Sequence, residues 1–395
     1  MNPLSSLLAL PEEEKQVRGL LHTPKEIAQQ PETWRSTYEH FRNRHEEIRE
    51  FLQTAGISWD PTRRPTVFLI GAGTSDYVGR SLAQLLRRLW HCEVLAVPST
   101  DLLTHPDQWL VPGRPYLWIS FSRSGESPEG IAVLERAWKS HRDFHHLIVS
   151  CNARSRMLRL AAGRKQMLGI ALPDAVHDGG LAMTSSFSNM VVFGQCLAHV
   201  ETLDAYRNIL DQLTEAGTNF RDLAAASAAE LASGDFTKGC FVGSGPLKAV
   251  ATESALKLLE LTAGQTQTMS ESALGLRHGP MAALDDQTLL VAFLSGDENV
   301  LKYELDLLEE IGQKHLVKTR AVVSPASNSR LVFEAGQVLV HRPSLTIADD
   351  YRPPLDVIFG QLLGLFFSLR RGLKPDCPSP NGAITRVVQN FLIHA

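Results

Sequence analysis

The chain of 395 residues is long enough for two or three domains, and its 44% hydrophobic and 21% charged residues are typical of an ordinary globular protein. This composition excludes the disordered and fibrous classes. The net charge of −4 and the lack of any basic run longer than two residues argue against a nucleic-acid partner. The five cysteines form no C-x-x-C pair, which argues against a disulfide framework and a structural zinc site.

The amino-terminal segment differs from an export signal, because the acidic run Glu12–Glu14 stands where a signal peptide has basic and then apolar residues. Together with the scattered cysteines, this predicts a cytoplasmic location. The most apolar segment, Val357–Leu369, is shorter than the roughly 20 residues that a helix needs to cross a bilayer. We therefore expect a buried helix there and no membrane partner.

The elements that follow alternate between strand and helix. Trp34–Leu52 has apolar residues near helical spacing and predicts a leading helix, and the apolar run Val67–Ile70 predicts a buried strand. The alternation continues with a helix over Tyr77–Trp90, strands over Glu93–Val97, Tyr116–Phe121 and His146–Ser150, and a helix over Gly130–Lys139. This pattern predicts an α/β fold with a doubly wound parallel sheet and a ligand site at the carboxyl ends of its strands.

The sequence contains an internal repeat. The segment that ends at Gly71–Gly73 matches the segment that ends at Gly243–Gly245, which lies 172 residues later. Two further pairs of matching segments are separated by nearly the same number of residues. We therefore predict two homologous α/β modules with terminal additions. The predicted domains are a helical extension over residues 1–52, a first module over 53–205, a second over 215–372, and a tail over 373–395.

Two strand–helix junctions of the first module carry the residues of a phosphate site. Glycines at Gly71 and Gly73 let backbone N–H groups converge at a helix start, although this junction lacks the third glycine and the acidic residue of a dinucleotide fingerprint. The second junction, Ser120–Ser127, reads SFSRSGES and combines four hydroxyls with Arg123. Neutral donors, one cation and a helix start suit a phosphate monoester. Without a Gly-Lys-Ser/Thr sequence, a magnesium nucleotide is not implied.

The pair GAGTSDYVG and SFSRSGES resembles the sugar isomerase (SIS) domain, and the tandem arrangement resembles the isomerase half of glutamine:fructose-6-phosphate amidotransferase. The resemblance implies two SIS domains, each a parallel doubly wound sheet flanked by helices. It implies that the substrate phosphate is held by Thr74, Ser75, Ser122, Arg123, Ser124 and Ser127.

The second module departs from the first at the equivalent loop, Ala292–Glu298, where hydroxyls are replaced by carboxylates that repel a phosphate. It offers instead Glu253, Lys257 and Glu260, which lie on one helix face at i, i+4 and i+7. Such a stripe is usually solvated, but the leucines around it favour a packed helix.

The resemblance implies roles for residues of the second module and the tail. Glu260 would move the proton between C1 and C2, Lys257 would be the nearby cation, and His278 the ring-opening acid or base, commonly contributed by a neighbouring subunit. We therefore expect a homodimer or homotetramer with the active site near an interface, and no cofactor or metal. Thr184 and Ser185 would line the sugar, and Arg386, where amidotransferases have a Schiff-base lysine, would contact it or be structural.

Among tandem SIS proteins, the segments HDGGLAMTSSFSNM, LRHGPMA and GLKPDCPSPNGAITRVVQ resemble the AgaS group. This resemblance implies deamination of D-galactosamine 6-phosphate to D-tagatose 6-phosphate and ammonia. Release of ammonia also fits a chain in which we find no glutaminase domain and no cysteine after Met1. The alternatives are a ketose/aldose isomerase of unaminated sugar phosphates and a non-catalytic sugar-phosphate sensor.

Overall fold

The computed structural model describes residues 2–57, 64–140, 144–327, 330, 337–340, 347–388 and 392–394. The chain divides into two compact units, each containing one of the predicted sheets. The first-sheet unit comprises Thr33–Asp178, Ser185–Asn208 and Ile384–Ala395, and the second-sheet unit comprises Met1–Glu32, Gly179–Thr184 and Ile209–Ala383. The domain boundaries given above remain a prediction.

The amino-terminal region is helical. Its helices are α1 (Pro3–Leu8), α2 (Glu12–Arg18), α3 (Thr23–Ala28), α4 (Gln30–Asn43) and α5 (His45–Thr54). The single helix predicted over Trp34–Leu52 is thus two helices, interrupted at Arg44 with φ −113° and ψ 13°. The Arg44 guanidinium donates to the carbonyl of Gly169 at 3.2 Å, a long-range contact that helical periodicity does not reveal.

The first sheet has the predicted parallel α/β architecture. Its elements are β1 (Thr66–Gly71), α6 (Thr74–Trp90), β2 (Val94–Pro98), α7 (Ser99–Thr104), α8 (Pro106–Trp109), β3 (Tyr116–Ser122), α9 (Pro128–Ser140), β4 (Phe144–Ser150), α10 (Arg156–Ala161), β5 (Met167–Ala171) and α11 (Ser185–Ala198). The described strands are parallel and run in the order β2-β1-β3-β4-β5. Continuous apolar runs such as β1 are buried on both faces, as parallel strands require.

The second sheet repeats the first. Its elements are α12 (Leu203–Leu231), β6 (Lys238–Gly243), α13 (Pro246–Leu261), β7 (Gln267–Glu271), β8 (Thr288–Phe293), α14 (Glu298–Gln313), β9 (Thr319–Ser324), β10 (Gln337–Val340) and α15 (Pro353–Arg370). Its parallel order β7-β6-β8-β9-β10 is that of the first sheet. Gly73 (φ 56°, ψ −128°) and Gly245 (φ 55°, ψ −128°) have the same backbone conformation, which glycine adopts without strain. The predicted repeat is confirmed.

Helix α15 is the buried apolar helix predicted from Val357–Leu369, and its residues from Pro353 to Ser368 are all buried. It packs closely on α13, because a Cβ at Gly360 would lie only 2.8 Å from Cα of Ser254. Glycine therefore sets the spacing of these two helices. Among the described residues, no helix has the length and apolar character of a membrane span.

Candidate active site

The fold brings the two predicted phosphate-binding loops to one edge of the first sheet. β1 and β3 are neighbouring parallel strands, and Ile70 pairs with Ser120 in register. The loops that follow them, Gly71–Gly73 and Ser122–Ser127, thus leave the same edge. The connection from β1 leads to β2 on one side of the sheet and the connection from β3 leads to β4 on the other, so the gap between β1 and β3 is the switch point where open α/β sheets bind ligands.

The loop after β3 is held in shape by its own serines. The Ser122 hydroxyl oxygen accepts the Gly125 N–H at 2.9 Å, and that of Ser124 accepts the Glu126 N–H at 3.2 Å. Nδ2 of Asn152 donates to the Ser124 carbonyl at 2.9 Å. Because a hydroxyl also carries a proton, both half-buried serines can still donate to an anion. The loop ends at Ser127, which is also half-buried.

The loop after β1 places Thr74 and Ser75 in the first turn of α6, where both are buried. A helix amino terminus favours negative charge there. The next residue, Asp76, adds a buried carboxylate whose pKa burial raises, and its Oδ2 is paired with Nη2 of Arg80 at 2.7 Å. Arg80 thus offsets the repulsion that Asp76 would exert on an anion.

The carboxyl-terminal tail contacts the phosphate loop within the first-sheet unit. Nη2 of Arg123 donates to the carbonyl of Arg386 at 2.7 Å, and the guanidinium of Arg386 donates in turn to the carbonyl of Asp178. The structure therefore brings together two of the predicted site residues that are far apart in sequence. The neighbouring His177 has its pKa lowered by burial and by the positive charges of Arg386 and Arg123.

Asp178 is a buried residue that the sequence analysis did not single out. Its carboxylate accepts the backbone N–H groups of Ser185 at 3.1 Å and Ser186 at 2.9 Å, so it caps the amino terminus of α11. The acidic residue of HDGG shortly before a serine-rich helix start was the available signal. Ser185 is fully buried, as is Thr184 in the second-sheet unit, whose carbonyl accepts Nε2 of Gln361 at 3.2 Å.

The charged face of α13 is buried rather than solvated. Nζ of Lys257 lies 3.3 Å from Oε1 of Glu253 and 2.5 Å from Oε2 of Glu260. The side chains of Glu253 and Lys257 have no exposed surface, whereas that of Glu260 is 24% exposed. Burial alone lowers the pKa of Lys257, but the two carboxylates more than offset this and raise it above its ordinary value.

His278 lies on a separate segment of the second-sheet unit. It follows a short 3₁₀ turn over Gly275–Arg277, and its N–H donates to the Gly275 carbonyl at 2.9 Å. The residue is exposed, and its imidazole makes no hydrogen bond or ion pair with any described residue, Lys257 and Glu260 included. The ring is therefore accessible from solvent.

The loop after β8 is already filled by carboxylates. The Asp349 carboxylate accepts the Gly296 N–H at 2.9 Å and the Ser295 hydroxyl, and Oε2 of Glu304 accepts the Ser295 N–H at 2.7 Å. Asp297 caps α14. This supports the expectation that the second loop binds no phosphate, because its donors are used internally. Burial raises the pKa of Glu304 to about 7.

Comparisons with known proteins support the same architecture. No family model matches the chain. It is 34% identical over 383 residues to an Escherichia coli protein named D-galactosamine-6-phosphate deaminase AgaS, covering 94% of this chain and 95% of that protein. The structure of E. coli tagatose-6-phosphate ketose/aldose isomerase is similar with a TM-score of 0.84 and 30% identity, covering 94% of this chain and 96% of that one. The C-terminal domain of glucosamine-fructose-6-phosphate aminotransferase from Francisella tularensis shares the fold, with a TM-score of 0.73 and 18% identity, over 90% and 98% of the two chains.

Proposed function

Because the chain belongs to the AgaS family of tandem SIS proteins, we propose that it converts D-galactosamine 6-phosphate to D-tagatose 6-phosphate and ammonia. The observation that carries the proposal is the partly exposed Glu260 carboxylate, held by a buried ammonium group. A proton transfer between adjacent carbons needs one carboxylate that can accept the proton and reach both carbons.

The substrate phosphate is proposed to bind the loop after β3. There the hydroxyls of Ser122, Ser124 and Ser127 donate to the phosphate oxygens, and Arg123 supplies positive charge. Thr74 and Ser75 add the donors of the α6 amino terminus. Thr184, Ser185 and Arg386 remain predictions as sugar contacts, because Thr184 and Ser185 are buried and the Arg386 side chain bonds to Asp178.

The reaction is proposed to begin with opening of the pyranose ring by His278. Glu260 then takes the proton from C2 of the aldehyde; the electron pair forms the C1–C2 double bond of an enolamine, the π bond of the C1 carbonyl breaks, and O1 takes up a proton from solvent. Return of the proton from Glu260 to C1, with loss of one N–H proton to solvent, gives a ketimine at C2. Water adds to this ketimine, the C–N bond breaks, and ketose and ammonia leave. Lys257 holds the Glu260 carboxylate in position through their ion pair.

We further propose an assembly of two or four copies with the active site near a subunit interface. The exposed and unbonded imidazole of His278 supports this arrangement, because it is available to a second copy. A cytoplasmic location is supported by the five cysteines, all of which are free.

The test is ammonia release from galactosamine 6-phosphate and from glucosamine 6-phosphate in parallel, with interconversion of tagatose 6-phosphate and galactose 6-phosphate followed separately. Faster ammonia release from the galacto substrate is expected. Ammonia release from neither amino sugar contradicts the deaminase; interconversion would then identify an isomerase, and no turnover at all would favour a sensor.

A further inference from the structure

The second-sheet unit has a cavity of about 380 Å³ that none of the predicted site residues lines. It lies between the segment after α12, the turn after α13 and the end of α15. The lining residue Thr237 immediately precedes β6, and Gln265 shortly precedes β7. The cavity is therefore at the amino ends of these strands, whereas the loops described above follow the carboxyl ends of strands.

Two arginines that are consecutive in sequence, Arg370 and Arg371, line the cavity. Arg371 is fixed in place, because its Nε and Nη2 donate to Oγ1 of Thr266 at 3.0 and 2.7 Å and Nη2 also donates to the Phe236 carbonyl at 2.7 Å. Its Nη1 makes no bond to a described residue. Arg370 is exposed, and its side chain makes no bond to any residue that the structure describes. Two donors of this kind, one of them pre-positioned, suit a dianion that accepts several hydrogen bonds.

The remaining walls suit a larger molecule than a bare anion. The rings of Phe236 and Phe367 lie with centroids 6.5 Å apart and provide an apolar surface. The carboxylate of Asp235 repels an anion but accepts hydroxyl or amino N–H groups, and the amide of Gln265 both donates and accepts. The occupant should therefore have an anionic end at the arginines and a hydroxyl- or amino-bearing end at Asp235.

We propose that this cavity is a second binding site, which takes a phosphate monoester of a polyhydroxylated or amino-bearing molecule. The phosphate contacts Arg370 and Nη1 of Arg371, and the hydroxyl or amino groups contact Asp235 and Gln265. The site is independent of the proposed reaction and would be present even if the chain were an isomerase or a sensor.

The test uses isothermal titration calorimetry of the full chain with sorbitol 6-phosphate, which has no carbonyl and cannot be isomerised or deaminated. The wild type should bind two molecules per chain. The Arg370→Ala variant should weaken one of the two events at least tenfold, the loss expected from about 1.4 kcal/mol of a charge-assisted hydrogen bond, and Arg370→Lys should weaken it less. Because Arg370 is exposed, these variants should remain folded, which circular dichroism checks. Arg87→Ala is the matched control: it removes an exposed arginine in the last turn of α6 and should leave both events unchanged.

A Ser124→Ala, Ser127→Ala variant separates this site from the proposed phosphate loop. It should lose the other event and keep the one that depends on Arg370. A single event that survives this variant and disappears in Arg370→Ala would support the cavity site while contradicting the phosphate loop. If instead neither event responds to Arg370→Ala, or inorganic phosphate binds there as tightly as sorbitol 6-phosphate, the proposed site is wrong.

Discussion

Nζ of Lys257 lies 2.5 Å from Oε2 of Glu260, and the lysine side chain has no solvent-exposed surface. The ammonium group is therefore shielded from solvent, whereas the side chain of Glu260 is 24% exposed. It is shared with Glu253, which is also fully buried, so that one cation holds two carboxylates. We expect Lys257 to act through Glu260, by fixing the position of its carboxylate.

Replacing Lys257 with methionine should destabilise the fold strongly. The variant removes the ammonium group that forms ion pairs with the Glu253 and Glu260 carboxylates, and removing one partner of a buried ion pair costs about 3–5 kcal/mol. Urea unfolding monitored by circular dichroism measures the change. Lys248→Met, which removes an exposed ion pair with Glu271, is the control and should have little effect.

A double variant tests the cause of that loss. Glu253→Gln combined with Lys257→Met should be more stable than Lys257→Met alone, since one of the stranded carboxylates is gone. Equal stability of the two variants would show that the Glu253 carboxylate is not the cause of the loss, and a Lys257→Met protein as stable as the wild type would show that the pair contributes nothing to the fold.

Glu260→Gln should abolish most of the proposed activity without unfolding the protein. The amide cannot accept the C2 proton, so kcat for ammonia release should fall by roughly 10²–10⁴, with KM changed only a few-fold. Glu230→Gln, at an exposed position of α12, is the matched control and should retain wild-type kcat. Full turnover by a folded Glu260→Gln protein would eliminate Glu260 as the proton-transfer group.

Arg386→Ala should weaken substrate binding more than it slows the chemistry. The variant frees the tail from the Asp178 carbonyl, and Arg123 then loses a fixed acceptor at the Arg386 carbonyl. We expect KM for the sugar phosphate to rise about tenfold, the equivalent of about one charge-assisted hydrogen bond, with kcat within a few-fold of the wild type. Arg87→Ala serves as the control. A large fall in kcat with unchanged KM would instead indicate that Arg386 contacts the reacting atoms.

Gly360→Val should destabilise the packing of α15 on α13. Even the first added carbon would lie 2.8 Å from Cα of Ser254, so one helix must shift, and overpacking of this kind typically costs about 1–3 kcal/mol. The midpoint of urea unfolding measures the loss. Gly296→Ala, where the nearest atoms would be at 3.5 Å, is the comparison and should unfold near the wild-type midpoint.

Acid should destabilise the first-sheet unit through His146. Burial lowers the pKa of this fully buried histidine to about 3, and its Nε2 is 2.7 Å from the Ser120 hydroxyl. The unfolded chain takes up a proton near pH 6.5 and the folded one does not, so the stability that His146 contributes is present above pH 6.5 and is lost as pH falls towards 3.

The measurement is the free energy of unfolding of wild type and His146→Gln across this range. The difference between the two proteins isolates His146, because both contain Glu304. The raised pKa of Glu304 increases the free energy of unfolding as pH falls from about 7 to 4.5, which is opposite to the effect of His146. The stability of His146→Gln should decline less on acidification than that of the wild type. Parallel curves would mean that His146 is not the group responsible.

The local elements of this protein were predictable because their signals are local. Apolar runs bounded by glycine turns define the strands, and the match between Gly71–Gly73 and Gly243–Gly245 revealed a repeat whose two turns adopt the same φ and ψ. The SFSRSGES loop was located at its strand–helix junction for the same reason. The interruption of the leading helix at Arg44 was missed, because it accompanies a contact with Gly169, 125 residues away.

Only the tertiary structure decided which charged groups are buried and what they contact. In sequence, the leucines around the Glu253–Glu260 face favour a packed helix over a solvated stripe, but they do not show which segment covers it; in the fold, α15 packs closely on α13 at Gly360. The contact of Arg123 with Arg386 and that of Asp349 with the second loop join residues 263 and 53 positions apart. Periodicity and turn chemistry act within a few residues of each other, whereas burial and pKa values depend on which distant segments cover a side chain.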